Sequence, residues 1–86
     1  MYSIVYTKKA VNDISKLKRA GLDKKAKQLI DLIKKNPYQS PPSFEKLKGD
    51  LKGAYSRRIN IHNRLVYEVF EDTKQIKIIR LWTHYE

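Results

Sequence analysis

The chain has 86 residues, with 19 Lys and Arg against 9 Asp and Glu, a formal net charge of +10 at pH 7. That length holds one domain (1–86) with a thin core, since a chain this short buries only about 60% of its unfolded surface. No cysteine is present, no apolar run exceeds three residues, and the start lacks a signal-peptide pattern. Disulfides, thiol chemistry and a membrane span of roughly 18 residues are thereby excluded, and a cytoplasmic location is expected.

Tyr2, Ile4 and Tyr6 alternate with Ser3 and Val5 and predict a short opening strand. Thr7 is placed to cap a helix in which Ala10, Val11, Ile14 and Leu17 form one apolar stripe, with Asn12, Asp13 and the lysines covering the rest. Gly21 is a natural stop, because glycine takes positive φ at little cost. A second helix follows on Leu22, Ala26, Leu29, Ile30 and Ile33. It should end near Lys35, since Pro37 drives Asn36 out of the α region. Residues 36–54 hold three prolines and two glycines and predict a long connection, with an extended piece at Phe44–Lys48. Three strand-like runs close the chain: Tyr55–Ile61, Arg64–Phe70 and Gln75–Trp82, joined by turns at His62-Asn63 and Glu71-Asp72-Thr73. Apolar residues on both faces of the last run predict that it is central. The fold class expected is α+β, a strand, two helices, then a mostly antiparallel sheet with the helices on one face.

So basic a chain suits a polyanionic partner. Residues 1–35 carry 10 basic and 3 acidic groups, and those lysines form either a solvated face or a phosphate-tracking surface. Arg57, Arg58 and Arg64 fall on adjacent predicted strands near one turn. They either grip a phosphate or pair across strands, Arg57 with Glu68 above all. Glu45 lies in the long connection, and His84-Tyr85 follow the last strand, where histidine can carry a proton and tyrosine can stack on a base. A phosphate loop, a His-Glu-x-x-His helix and a Gly-x-Ser-x-Gly elbow are all absent, and the two histidines lie too far apart in sequence to suggest a metal site.

Taken in order, Phe44-Glu45-Lys46-Leu47-Lys48, then Leu51-Lys52-Gly53-Ala54-Tyr55-Ser56-Arg57-Arg58-Ile59, then Arg64-Leu65-Val66-Tyr67 and the closing His84-Tyr85 resemble the YoeB/Txe toxins of the RelE superfamily. The resemblance implies the toxin of a type II toxin–antitoxin system, a ribosome-dependent mRNA endoribonuclease that needs no metal or cofactor and arrests translation. It implies Glu45 as general base, His84 as general acid, Arg64 and Arg58 on the scissile phosphate with Lys48 close by, and Tyr85 orienting the base. It also implies mRNA and the ribosome as partners and a YefM-like antitoxin, and leaves a homodimer open. Three positions depart from the family pattern: Tyr55 where many members have Trp, His62 where Glu is common, and the extra Glu86.

These residue types suit RNA scission, in which a base takes the proton of the 2′-OH, an acid protonates the departing 5′-oxygen, and cations offset charge gathering on phosphorus. The rival readings are a non-enzymatic RNA- or DNA-binding module, a domain that binds an acidic protein, and an inactive toxin relative.

Overall fold

The computed structural model describes residues 1–82, so His84, Tyr85 and Glu86 lie outside the described residues. Strand β1 (Ser3–Tyr6) leads into helices α1 (Lys8–Arg19) and α2 (Asp23–Lys35). After the long connection come β2 (Glu45–Lys46), a 3-10 turn (Gly49–Leu51), β3 (Ala54–Arg58), β4 (Arg64–Phe70) and β5 (Gln75–Arg80). One sheet forms in the order β1-β5-β4-β3-β2. Among the described residues only the β1–β5 pair is parallel, and the other pairs are antiparallel. The α+β expectation holds, with β4 at the centre and β5 beside it.

The helices form where capping and periodicity place them. The Thr7 hydroxyl accepts from the Ala10 N–H at 3.1 Å and donates to the Ile79 carbonyl at 2.7 Å, so a single residue starts α1 and pins it to β5. Gly21 sits at φ 73° and separates the helices, while Asn36 is extended ahead of Pro37. Ala10, Leu17, Ala26 and Ile33 pack against Leu65, Tyr67, Ile76 and Ile78 on one face of the sheet. Two residues of α1 depart from the predicted stripe. Val11 is largely exposed, and Asp13, expected outside, is buried. Asp13 stands three residues after Ala10 and four before Leu17, so it lies on the same helical face as both.

Two strands end earlier than expected, each because a side chain takes the backbone donors that a longer ladder would use. The Asn60 carboxamide oxygen accepts from the N–H groups of His62 (3.0 Å) and Asn63 (2.7 Å), so β3 stops at Arg58 and the turn widens to 59–63. The Asp13 carboxylate accepts from the N–H groups of Leu81 (3.0 Å) and Trp82 (3.1 Å), so β5 stops at Arg80.

Candidate active site

Alternation along β3 separates two arginines that are adjacent in sequence. Arg57 points to the packed side and is fully buried. Its Nε donates to the Tyr67 hydroxyl (3.0 Å), Nη1 to the Pro42 carbonyl (2.6 Å) and Nη2 to the Pro37 carbonyl (3.1 Å), and its guanidinium lies 4.7 Å from the centre of the Phe44 ring. Arg57 is therefore not a surface phosphate ligand. Nor does it pair with Glu68: its cross-strand neighbour is Leu65, whereas Glu68 stands opposite Ala54 and Lys77. It binds the connection 37–44 to the sheet and so sets where β2 begins.

Arg58 points the other way, onto the face that carries no helix, and is exposed. It stands directly opposite Arg64 of β4. One row along, Glu45 of β2 pairs with Ser56, which pairs with Val66. Pleating puts Glu45, Ser56, Arg58 and Arg64 on one face. The Glu45 Oε1 lies 3.9 Å from the Arg64 Nη1, with the Glu45 side chain 68% exposed and that of Arg64 18%. That separation is an ion-pair distance but too long for a hydrogen bond. The carboxylate thus meets solvent beside a cation that burial holds in place. Arg58 and Arg64 set two like charges opposite each other, a repulsion that a bound anion would relieve. Beside Glu45 on β3, the buried Ser56 hydroxyl has no hydrogen-bond partner among the described residues.

Lys48 is exposed just beyond β2 and lines a cleft of about 460 Å³ together with Lys46, Lys52 and Tyr55. The structure thus brings Glu45, Arg58 and Arg64 together and sets Lys48 on the continuation of the Glu45 strand. Among the described residues no group of His, Cys, Asp and Glu is gathered to hold a metal ion. No described helix is long and apolar enough to cross a membrane.

Two clusters escaped the sequence reading. Asp13 forms an ion pair with Arg80, Nε to Oδ2 at 2.9 Å. Desolvation raises the pKa of Asp13, but hydrogen bonds from Arg80 and from the Leu81 and Trp82 N–H groups outweigh it and hold the carboxyl below its usual range. At the other end of β5, Glu71 accepts from the hydroxyls of Tyr2 (2.7 Å) and Tyr38 (2.8 Å) and from the Lys74 ammonium (3.1 Å), which hold its carboxyl low too. That carboxylate ties the β1 start and the long connection to the β4–β5 turn.

A family profile for the YoeB-like toxin of bacterial type II toxin–antitoxin systems matches residues 6–85. The chain belongs to this family. Toxin YoeB of Streptomyces coelicolor is 40% identical over 62 residues, 72% of this chain and 71% of that one. Toxin YoeB of Synechocystis is 37% identical over 75 residues, 87% and 78% of the two chains. Among solved structures, the YoeB/ParE toxin of Agrobacterium tumefaciens superposes with a TM-score of 0.87 at 32% identity, over 96% of this chain and 99% of that one. The YoeB–YefM complex of Staphylococcus aureus gives 0.81 at 34% identity over 99% of each chain, and the YoeB dimer of that organism gives 0.80 at 34% over 98% of each. The chain is thus a toxin of the YoeB type, and the RelE-like fold expected from the sequence is the one its structural neighbours share.

Proposed function

We propose that this toxin is a ribosome-dependent endoribonuclease that cuts mRNA in the decoding site and thereby inhibits translation in the cytoplasm. The observation that carries the reading is the solvent-facing Glu45 carboxylate 3.9 Å from Arg64, with Arg58 opposite Arg64 on the same open face. Glu45 takes the 2′-OH proton. The 2′-oxygen then attacks phosphorus, and the bond from phosphorus to the 5′-oxygen breaks, leaving a 2′,3′-cyclic phosphate and a 5′-hydroxyl. Arg58 and Arg64 offset the charge that builds on the phosphoryl oxygens, with Lys48 on the flanking backbone. His84 protonates the departing 5′-oxygen, and Tyr85 stacks on or orients the neighbouring base. The net charge of +10 suits a site walled by ribosomal RNA. A YefM-like antitoxin and a second copy of the toxin are the protein partners, in line with the two Staphylococcus aureus assemblies.

The test adds purified protein to a translation reaction and maps mRNA ends by primer extension. Glu45→Gln, Arg64→Ala and His84→Gln should each fold and slow cleavage, the base and acid variants by about 10²–10⁴-fold. Parent-like cleavage by Glu45→Gln would remove it as the base. Ribosome protection without strand breaks would make the protein a binder rather than a nuclease.

A further inference from the structure

A charged residue at the centre of a helix's buried face calls for explanation, because an apolar side chain there would pack without the cost of desolvating an ion. Asp13 is 1% exposed. Its carboxylate accepts four hydrogen bonds, all from the last stretch of described chain: Arg80 Nε at 2.9 Å, Arg80 Nη2 at 3.3 Å, Leu81 N at 3.0 Å and Trp82 N at 3.1 Å. Arg80 Nη2 also donates to the Trp82 carbonyl at 3.1 Å. Two successive N–H groups and one carbonyl are thus held by side chains instead of by a neighbouring strand. The chain is turned out of the sheet at a defined point, and the register irregularity at Val66/Tyr67 lies directly across from it. His84 follows Trp82 by two residues.

We propose that Asp13, acting with Arg80, is a positioning residue for the proton donor: it fixes the backbone at Leu81 and Trp82, the point from which the chain runs on to His84. The proposal rests on the reading of His84 as general acid. Asp13 itself stays on the packed side and touches no substrate. Leu81 is buried and Trp82 packs against the core, so the latch joins α1 and β5 to residues 81–82. Positional error is costly in such chemistry, since a displacement of about 1 Å far from the reacting atoms can cost 10²-fold in rate.

The test separates help to the proton donor from mere help to folding. An mRNA with sulfur in place of the 5′-bridging oxygen at the cleavage site has a leaving group that departs without protonation. On the oxygen substrate, His84→Gln and Asp13→Asn should each lose about 10²-fold or more. On the sulfur substrate both should return to within a few-fold of the parent, while Glu45→Gln should not. The double variant Asp13→Asn/His84→Gln should be no slower than His84→Gln alone. Arg80→Lys keeps a charge for Asp13 and gives up the fork to the Trp82 carbonyl; it should fall between and be rescued in the same way, which covers the case in which Asp13→Asn does not fold. Trp82 is the only tryptophan, so acrylamide quenching of its emission should rise in Asp13→Asn with no substrate present. Rescue of His84→Gln without rescue of Asp13→Asn, or unchanged Trp82 quenching, overturns the proposal and leaves Asp13 as packing. Failure of sulfur to rescue His84→Gln overturns the acid assignment, and the proposal with it.

Discussion

Arg57 and Arg58 are neighbours in sequence, and replacing each with methionine should have opposite consequences. Arg57→Met keeps the aliphatic volume but removes three hydrogen bonds from a charged donor, each contributing about 1.5–3 kcal/mol. Against that loss, the variant no longer has to desolvate a guanidinium that is satisfied only by carbonyls and a hydroxyl, a relief of several kcal/mol. The Pro37 carbonyl keeps the Tyr67 hydroxyl as a donor at 2.7 Å, whereas the Pro42 carbonyl loses its side-chain donor. A net destabilisation of about 2–3 kcal/mol is expected, which in a domain of this size lowers Tm by about 10–20 °C. Arg58→Met removes an exposed side chain that faces a like charge, so its stability should stay within about 0.5 kcal/mol of the parent. Thermal melts of the two variants, with primer extension on programmed ribosomes, provide the readout. Arg57→Met should melt early, and Arg58→Met should melt like the parent yet cleave poorly. Equal melting temperatures would refute the assignment of Arg57 to the scaffold.

The Glu71 cluster gives a pH dependence with a definite sign. Its carboxyl is held low in the fold, so its stabilisation is present above about pH 4.5 and is lost as pH falls through the folded value. Melts of the parent and Glu71→Gln should therefore differ near neutrality and converge in acid, and a gap that does not change with pH would show that Glu71 acts only through its shape. Salt dependence distinguishes the two basic surfaces. Single-stranded RNA contributes a slope of about −0.7 in log K per neutralised phosphate, so Arg58, Arg64 and Lys48 alone give about −2. Titrations with the Glu45→Gln protein should reach that value on a short oligonucleotide and exceed it on ribosomes, where the helix lysines also meet phosphate. A flat response would remove electrostatics from recognition.

What the sequence could disclose depended on how local the cause was. Thr7, Gly21 and Pro37 act on their own neighbours, and the two helices lie where those residues place them. The ends of β3 and β5 were harder to read. The Asn60 turn is local but hidden among strand-like residues, and β5 is stopped by Asp13 from 68 residues away. The arginines show the same division. Residue type alone made Arg57, Arg58 and Arg64 equal candidates, and only the pairing of β3 with β4 reveals which side each faces. Glu45 could be singled out by resemblance, but its nearness to Arg64 requires a two-residue edge strand in register with Ser56.

The buried charges account for much of what was hidden. Reading apolar periodicity assumes that the inward face is apolar, so it places every Asp and Arg outside. Asp13 and Arg57 violate that assumption, and they do so at related points of the fold: one holds the chain just before His84, the other the chain just before Glu45. Apolar packing tolerates small slides and exchanges of rotamer, whereas a carboxylate or guanidinium satisfied from several directions has few acceptable positions. A thin core of about a dozen apolar residues resists such slides weakly. Directional bonds from buried ions are therefore what a chain this short has available to hold two segments far apart in its sequence, the connection at Pro37 and Pro42 and the strand end at Leu81 and Trp82, in fixed positions against one sheet.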